Sequence, residues 1–361
     1  MRLLIYGAGV LGSLYAGRLQ AAGHDVTLLA RGQRRTDLIE HGLMLEDEAT
    51  GRVTISAIPA IDRLLPDDHY DWILVVMRKN QVAEILPPLA ANSTPNVLFL
   101  VNNAAGPDEY IAALGRERVV LGFPGAGGAR ERHIVRYRLV SAQPTTLGEI
   151  DGQITPRLRQ IAQALTDAGF PAAFSSNMDA WLKTHVALVS PVANAIYAAG
   201  GDIRRLARTR DGLVLMIRAV REGLSVLKTL NVPITPAQYQ LLNWLPEPVL
   251  VAVLRRGLDT TRAELVLARH ANAARDEMAQ LAQEFKTLAR QSAVATPAID
   301  QLAQYLDPAV PPLPDGSATL PLKWRGLLVL AGLTALIGLN IGWGLKRPSR
   351  RASCCECECD G

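Results

Sequence analysis

The chain has 361 residues, enough for two domains that each bury a core of their own. Charged residues make up 20% and hydrophobic ones 49%, which excludes a disordered protein, and a net charge of +4 gives no ground for a nucleic-acid partner. All four cysteines (Cys354, Cys355, Cys357 and Cys359) fall in the last eight residues, so the rest has no disulfide framework and suits a reducing cytoplasm.

Leu3-Leu4-Ile5-Tyr6 is an apolar run that predicts a strand and leaves no room before it for a signal peptide. Gly7-Ala8-Gly9-Val10-Leu11-Gly12 follows, and Val10 to Ala22 reads as a helix closed by Gly23. Strand, Gly-x-Gly-x-x-Gly and helix, in that order, predict a dinucleotide-binding turn. Gly7 allows the tight turn, Gly9 lets backbone approach a pyrophosphate, and Gly12 lets helix and strand pack closely. The helix N-terminus adds free N–H groups and the positive end of its dipole.

Asp25 to Ala30 reads as the second strand. An NAD site usually carries an acid at this strand's end, roughly 20 residues past the glycines, to hold the ribose 2′-OH. Here the position is Arg31, with Arg34 and Arg35 behind it, and a guanidinium suits a 2′-phosphate because its planar fork pairs with phosphate oxygens. The expected cofactor is NADP(H).

Thr36 to His41 continues a short helix, and Leu43 to Leu45 with Val53 to Ile55 read as a hairpin. Asp71 to Met77 is near-continuously apolar, as in a strand buried on both faces of a parallel sheet. It ends in Arg78-Lys79-Asn80-Gln81, and Val82 to Leu89 is predicted helical. Val97 to Val101 is a strand ending in Asn102-Asn103. Ligands of open α/β sheets bind beyond the carboxyl ends of strands, so Arg31, Arg78 and Asn103 should converge on one crevice. Arg118 to Phe123, His133 to Arg138 and Thr145 to Glu149 read as further strands, whereas Ala180 to Leu306 is almost wholly helical. Leu213, Met216, Ile217, Val220, Leu224 and Leu227 share one face at helical spacing, and Thr260 to Arg290 reads as one long helical stretch. The expected architecture is an α/β Rossmann-type parallel-sheet domain over residues 1–175, then an all-helical domain over 176–306, with the substrate between them.

With these pieces in place the sequence resembles the ketopantoate reductase family. The resemblance is carried by the glycine turn, Arg31, Arg78 with Gln81, Asn103, Trp181-Leu182-Lys183 and Glu277, and spans roughly residues 1 to 306. It implies NADPH as hydride donor, a 2-keto acid such as 2-dehydropantoate reduced to the 2-hydroxy acid, and a helical domain like the C-terminal domain of 6-phosphogluconate dehydrogenase. It also implies Lys183 as general acid and Glu277 as the group that fixes the substrate. Cofactor contacts would come from Gly7, Ala8, Gly9, Val10, Leu11, Gly12, Arg31, Arg78 and Asn103. This chain departs from the family in having Arg78 for a lysine, and Ala187 and Ser190-Pro191 where asparagines stand one and two turns past the catalytic lysine. No serine near Leu265 matches the family's substrate-holding segment.

On chemistry alone, Lys183 is conspicuous as the cation in an apolar stretch, though a lysine near a helix start also snorkels to solvent. Glu277, among Arg275, Asp276 and Glu284, also reads as a solvated helix face. His185 lies about 200° around the helix from Lys183 and reads as structural. No histidine shows metal-ligand spacing, so no metal is expected. Two alternatives stay open: a non-catalytic NADP(H)-sensing protein, and a reductase of a different, bulkier ketone.

Residues 307–322 contain Pro308, Pro311, Pro312 and Pro314 and read as a linker. Gly326 to Leu345 is twenty residues without a charge, about 30 Å as a helix, so 323–346 is a candidate transmembrane segment, followed by a basic, Cys-rich tail over 347–361. Membrane association through 326–345 is thus expected, with the catalytic part cytoplasmic and a homodimer left open.

Overall fold

The computed structural model describes residues 1–139 and 143–324. Twelve strands are described: β1 (Arg2–Tyr6), β2 (Asp25–Leu29), β3 (Leu43–Asp47), β4 (Val53–Ser56), β5 (Ala60–Ile61) and β6 (Trp72–Val75), then β7 (Val97–Leu100), β8 (Val119–Phe123), β9 (Ala126–Glu131), β10 (Ile134–Leu139), β11 (Thr145–Glu149) and β12 (Ala172–Phe174). Eight of them form one sheet of order β12-β11-β8-β7-β6-β1-β2-β5. It is parallel throughout except that β11 runs antiparallel to β8. Every residue of β6 and β7 is buried, which is why these segments read as unbroken apolar runs. The order reverses at β1, between β2 and β6, and that reversal opens a crevice at the carboxyl ends of β1 and β6.

The helices of this part are α1 (Val10–Ala21), α2 (Gln33–His41), α3 (Leu86–Ala91), α4 (Asp108–Leu114) and α5 (Pro156–Asp167). The helix expected over Val82 to Leu89 is shortened. Two 3-10 turns, Lys79–Gln81 and Ala83–Ile85, precede α3, whose first turn holds the prolines. Pro87 and Pro88 lack N–H groups and their rings would clash with carbonyls four residues back, so a regular helix begins only there. The expected hairpin is β3–β4, and it joins β9 and β10 in a second sheet of order β4-β3-β10-β9 that packs on α1. Gly17 of α1 permits this contact, since a Cβ there would stand 2.7 Å from Leu45 Cδ1.

From Met178 the chain is helical: α6 (Met178–Ala198), α7 (Ile203–Arg208), α8 (Arg210–Thr229), α9 (Glu247–Leu258), α10 (Thr261–Ala263), α11 (Arg269–Ala273), α12 (Arg275–Ser292) and α13 (Pro297–Ala303). Asn177 caps α6 by accepting the Ala180 N–H, and α6 continues through Pro191. The stripe from Leu213 to Leu227 is buried, and α8 packs on α6 and α13. The stretch from Thr260 to Arg290 is not one helix. A π-turn, Glu264–Ala268, separates α10 from α11, and Ala274, at φ −122° and ψ 33°, breaks the chain before α12.

Residues 307–322, expected to be a free linker, are an ordered strap on the helical domain. Prolines keep the segment out of helix and sheet, so side chains satisfy its backbone instead. Asp211 accepts from Thr319 N, Thr319 Oγ1 and Leu320 N, Arg208 pairs with Asp315 at 2.8 Å, and Glu247 accepts from Lys323 N. The candidate transmembrane segment beyond Trp324 and the tail 347–361 lie outside the described residues. Among the described residues no helix is long and apolar enough to cross a membrane.

Candidate active site

The glycine turn links the end of β1 to the start of α1 at the sheet's switch point. Gly7 has φ +122°, and a Cβ on it would fall 2.4 Å from Val76 O, so strand spacing demands glycine there. A Cβ on Gly12 would sit 1.8 Å from Gly7 O, so Gly12 seats the helix against the turn. Gly9 is the opposite case: a Cβ on it would meet nothing within 4 Å. The space before Gly9, and an α1 N-terminus with no side-chain cap and no acid in its first turn, fit an anion approaching backbone N–H groups. Val10 and Leu11 are partly buried, and the Ala8 carbonyl is fixed by Ser13 Oγ and Arg34 Nε at 3.3 and 3.2 Å.

The arginines after β2 divide in role. Arg31 is exposed beside the strand ends, close enough to Tyr6 to oppose the rise that burial imposes on the phenol's pKa. Arg34, read from sequence as standing behind Arg31, instead turns inward, donating to Ala8 O, Ser13 Oγ and His133 O. Burial, helped by the Arg130 charge, lowers its pKa to about 10. Arg31 precedes α2 and faces outward, whereas Arg34 sits in the first turn of α2 and reaches back to hold the glycine turn.

The carboxyl ends of β6 and β7 meet α12. Arg78 donates to Asp276 Oδ1 and Oδ2 at 2.9 and 3.1 Å and to Ala273 O at 2.5 Å, and Asn80 donates to Asp276 Oδ2. Asp276 is lowered in pKa because these bonds and the Arg78 charge outweigh the upward push of burial. Glu277 is buried, not on a solvated face, and its Oε1 accepts from Lys79 N at 3.3 Å and Asn102 Nδ2 at 3.1 Å. Lys79 is also buried, with Nζ 3.2 Å from Tyr110 Oη, 3.5 Å from Glu109 and 3.7 Å from Glu284.

Lys183 reaches the same loop from the other side. Its Nζ is 2.5 Å from Asp179 Oδ2, one turn earlier on α6, and a Cβ on Gly106 would come within 3.6 Å of it. Asn103 folds that loop: its Nδ2 donates to Gly106 O and its Oδ1 accepts from Gly106 N. The segment from Asn102 to Gly106 therefore connects Glu277 at one end with Lys183 at the other. Asn103 spends both its side-chain amide groups on this turn. Arg31, Arg78 and Asn103 all stand at strand ends.

Sequence reasoning missed the buried charges Lys79 and Glu284 and the Asp179 partner. Their signals were the four-residue spacing of Asp179 and Lys183 and the seven-residue spacing of Glu277 and Glu284, each of which puts two residues on one helix face. His185 is the structural residue it was taken for. Its ring lies tilted 4.1 Å from Phe123 and stacked 5.4 Å from Trp181, centroid to centroid, and burial, with the nearby His270, lowers its pKa to about 4. Ala187 packs against α8, where a Cβ on Gly223 would lie 3.2 Å from its own Cβ.

A glycine turn at the switch point of a parallel sheet, facing a helical domain that brings an ammonium and buried carboxylates to the strand ends, defines a two-domain protein of the nicotinamide-dependent oxidoreductase kind. Residues 3–152 match the family model described as ketopantoate reductase PanE/ApbA. The 2-dehydropantoate 2-reductase of Archaeoglobus fulgidus is 27% identical over 207 residues, 56% of this chain and 67% of that protein. The enzyme of that name from Halobacterium salinarum is 26% identical, over 65% of this chain and 78% of its own length. Among solved structures, 2-dehydropantoate 2-reductase from Geobacter metallireducens superposes with a TM-score of 0.72 at 16% identity, covering 86% of this chain and all of that one. A D-mandelate dehydrogenase, solved with NADH and anilino(oxo)acetate, superposes at 0.70 and 18% identity, over 85% of this chain and 97% of that one. At those identities the structural likeness is one of fold.

Proposed function

We propose that the protein reduces a 2-keto acid of the 2-dehydropantoate type to the 2-hydroxy acid with NADPH. The observation that carries this reading is the Lys183 ammonium on α6, held over the loop that ends β7, on the side of the sheet where the glycine turn opens. Reducing a ketone needs a hydride at carbon and a proton at oxygen as negative charge develops there. NADPH, when bound, supplies the hydride. Gly9 and the α1 N-terminus receive the pyrophosphate, and Arg31 pairs with the 2′-phosphate. Lys183 polarises the carbonyl and gives its proton to the oxygen. Glu277 Oε1 is occupied by Lys79 N and Asn102 Nδ2, and Oε2, with no hydrogen bond among the described residues, accepts from a substrate hydroxyl.

Ala187 favours a second reading within the same chemistry. Its packing against Gly223 leaves no polar group one turn past Lys183, which suits a ketone with an apolar arm. The deciding experiment follows NADPH absorbance with a panel of 2-keto acids, 2-dehydropantoate and bulkier aliphatic and aryl members included. NADPH oxidation with any of them supports the reductase, and the preferred side chain separates the two substrates. Tight NADPH binding without turnover on all of them would leave a sensor in place of an enzyme. Membrane attachment through 326–345 is proposed from sequence alone. Full-length protein recovered wholly in the soluble fraction without detergent would remove it.

A further inference from the structure

We propose that Glu284 is a positioning residue for the reaction, acting through the loop after β7; this role in catalysis rests on the reductase reading above. Glu284 lies on α12 two turns past Glu277, and its side chain is 7% exposed. Its Oε2 accepts the backbone N–H groups of both Ala104 and Ala105, at 2.9 and 3.2 Å. Its Oε1 takes Gln280 Nε2 at 3.1 Å and stands 3.7 Å from Lys79 Nζ. One carboxylate of the helical domain thereby grips two successive amides from the sheet domain, and a buried lysine from that domain balances its charge.

Those two amides lie between Asn103 and Gly106, whose mutual hydrogen bonds shape the turn beneath Lys183. The loop has no regular secondary structure to hold it, so its buried N–H groups need an outside acceptor. Glu284 supplies it from the helix that also carries Glu277. Substrate-side and acid-side groups are thus set by one rigid element, and no part of Glu284 needs to touch substrate or cofactor.

The test compares Glu284→Ala with Glu284→Gln in the full chain. Glutamine keeps a carbonyl oxygen for the two N–H groups and loses the charge; alanine loses both. In Glu284→Ala, amide exchange in the segment from Asn102 to Gly106 should quicken by about tenfold or more, because two buried donors are left unpaired. Its kcat should fall by at least about tenfold while KM for NADPH stays within about threefold. Glu284→Gln should restore slow exchange and most of kcat. Wild-type exchange in the loop of Glu284→Ala would overturn the proposal, as would Glu284→Gln behaving like alanine, since charge balance with Lys79 would then be the only role. If the alanine variant does not fold, Glu284→Asp, one methylene shorter, carries the same test with the same two outcomes. Should the wild-type protein turn over no ketone, the reductase reading fails, while loop exchange still decides whether Glu284 holds the turn.

Discussion

At the scale of single residues, two substitutions separate binding from chemistry. Lys183→Ala should leave NADPH affinity nearly intact and lower turnover by roughly 10²–10⁴, the contribution of a positioned acid. Near wild-type turnover, measured at saturating ketone, would remove Lys183 from the mechanism. Arg31→Asp should weaken NADPH by about 1.5–3 kcal/mol, one charge-assisted contact, while sparing NADH. Equal loss of both cofactors in a binding titration would mean that Arg31 does not meet the 2′-phosphate. Arg34 cannot take over that contact, because its guanidinium is committed to Ala8, Ser13 and His133.

At the scale of elements, the two ends of the glycine turn should answer differently to the same added methyl. Gly12→Ala places a Cβ against Gly7 O and must shift α1, so it should lower thermal stability and cofactor binding together. Gly9→Ala meets open space at φ −72° and should melt as the wild type does while binding NADPH more weakly. A Gly9→Ala variant with unchanged affinity would show that the cofactor does not approach there. On α6, His185 carries a pH effect. Its folded pKa, about 4, is below the ordinary 6.5, so the neutral ring is the form the fold favours. Its contribution is complete above about pH 6.5 and is lost as pH falls toward 4, at up to about 1.4 kcal/mol per pH unit. His185→Phe should flatten that part of the stability curve in denaturant titrations from pH 7 to 4, and an unchanged slope would assign the effect elsewhere.

At the scale of the whole molecule, the strap lengthens the helical domain beyond residue 306. Asp211 is its main receptor, and hydrogen bonds from Thr319 and Leu320 outweigh burial to lower its pKa. Its stabilisation is therefore present above the ordinary carboxylate range and is lost as pH falls through the lowered value. Asp211→Ala leaves two strap N–H groups without their acceptor and should cost about 1–3 kcal/mol. Limited proteolysis should then cut within residues 307–322. A strap as resistant as in the wild type would show that the Arg208 and Glu247 contacts suffice.

The sequence by itself determined the glycine turn, the buried strands at β6 and β7 and the switch to helix near Asn177, because each is written in a local pattern: glycine spacing, a continuous apolar run, a helical period. The site was legible only as positions. Arg31, Arg78, Asn103, Lys183 and Glu277 could be placed at strand ends or on helices, but no local pattern says what a side chain meets across a domain boundary. Tertiary structure alone decided that Arg78 spends its charge on Asp276, that Glu277 is buried rather than solvated, and that Arg34 braces the turn. Packing likewise made the proline-rich segment an ordered strap. Proline forbids helix and sheet locally, but whether such a segment docks depends on acceptors such as Asp211 and Glu247, which lie far away in sequence and come near only when the helices have packed.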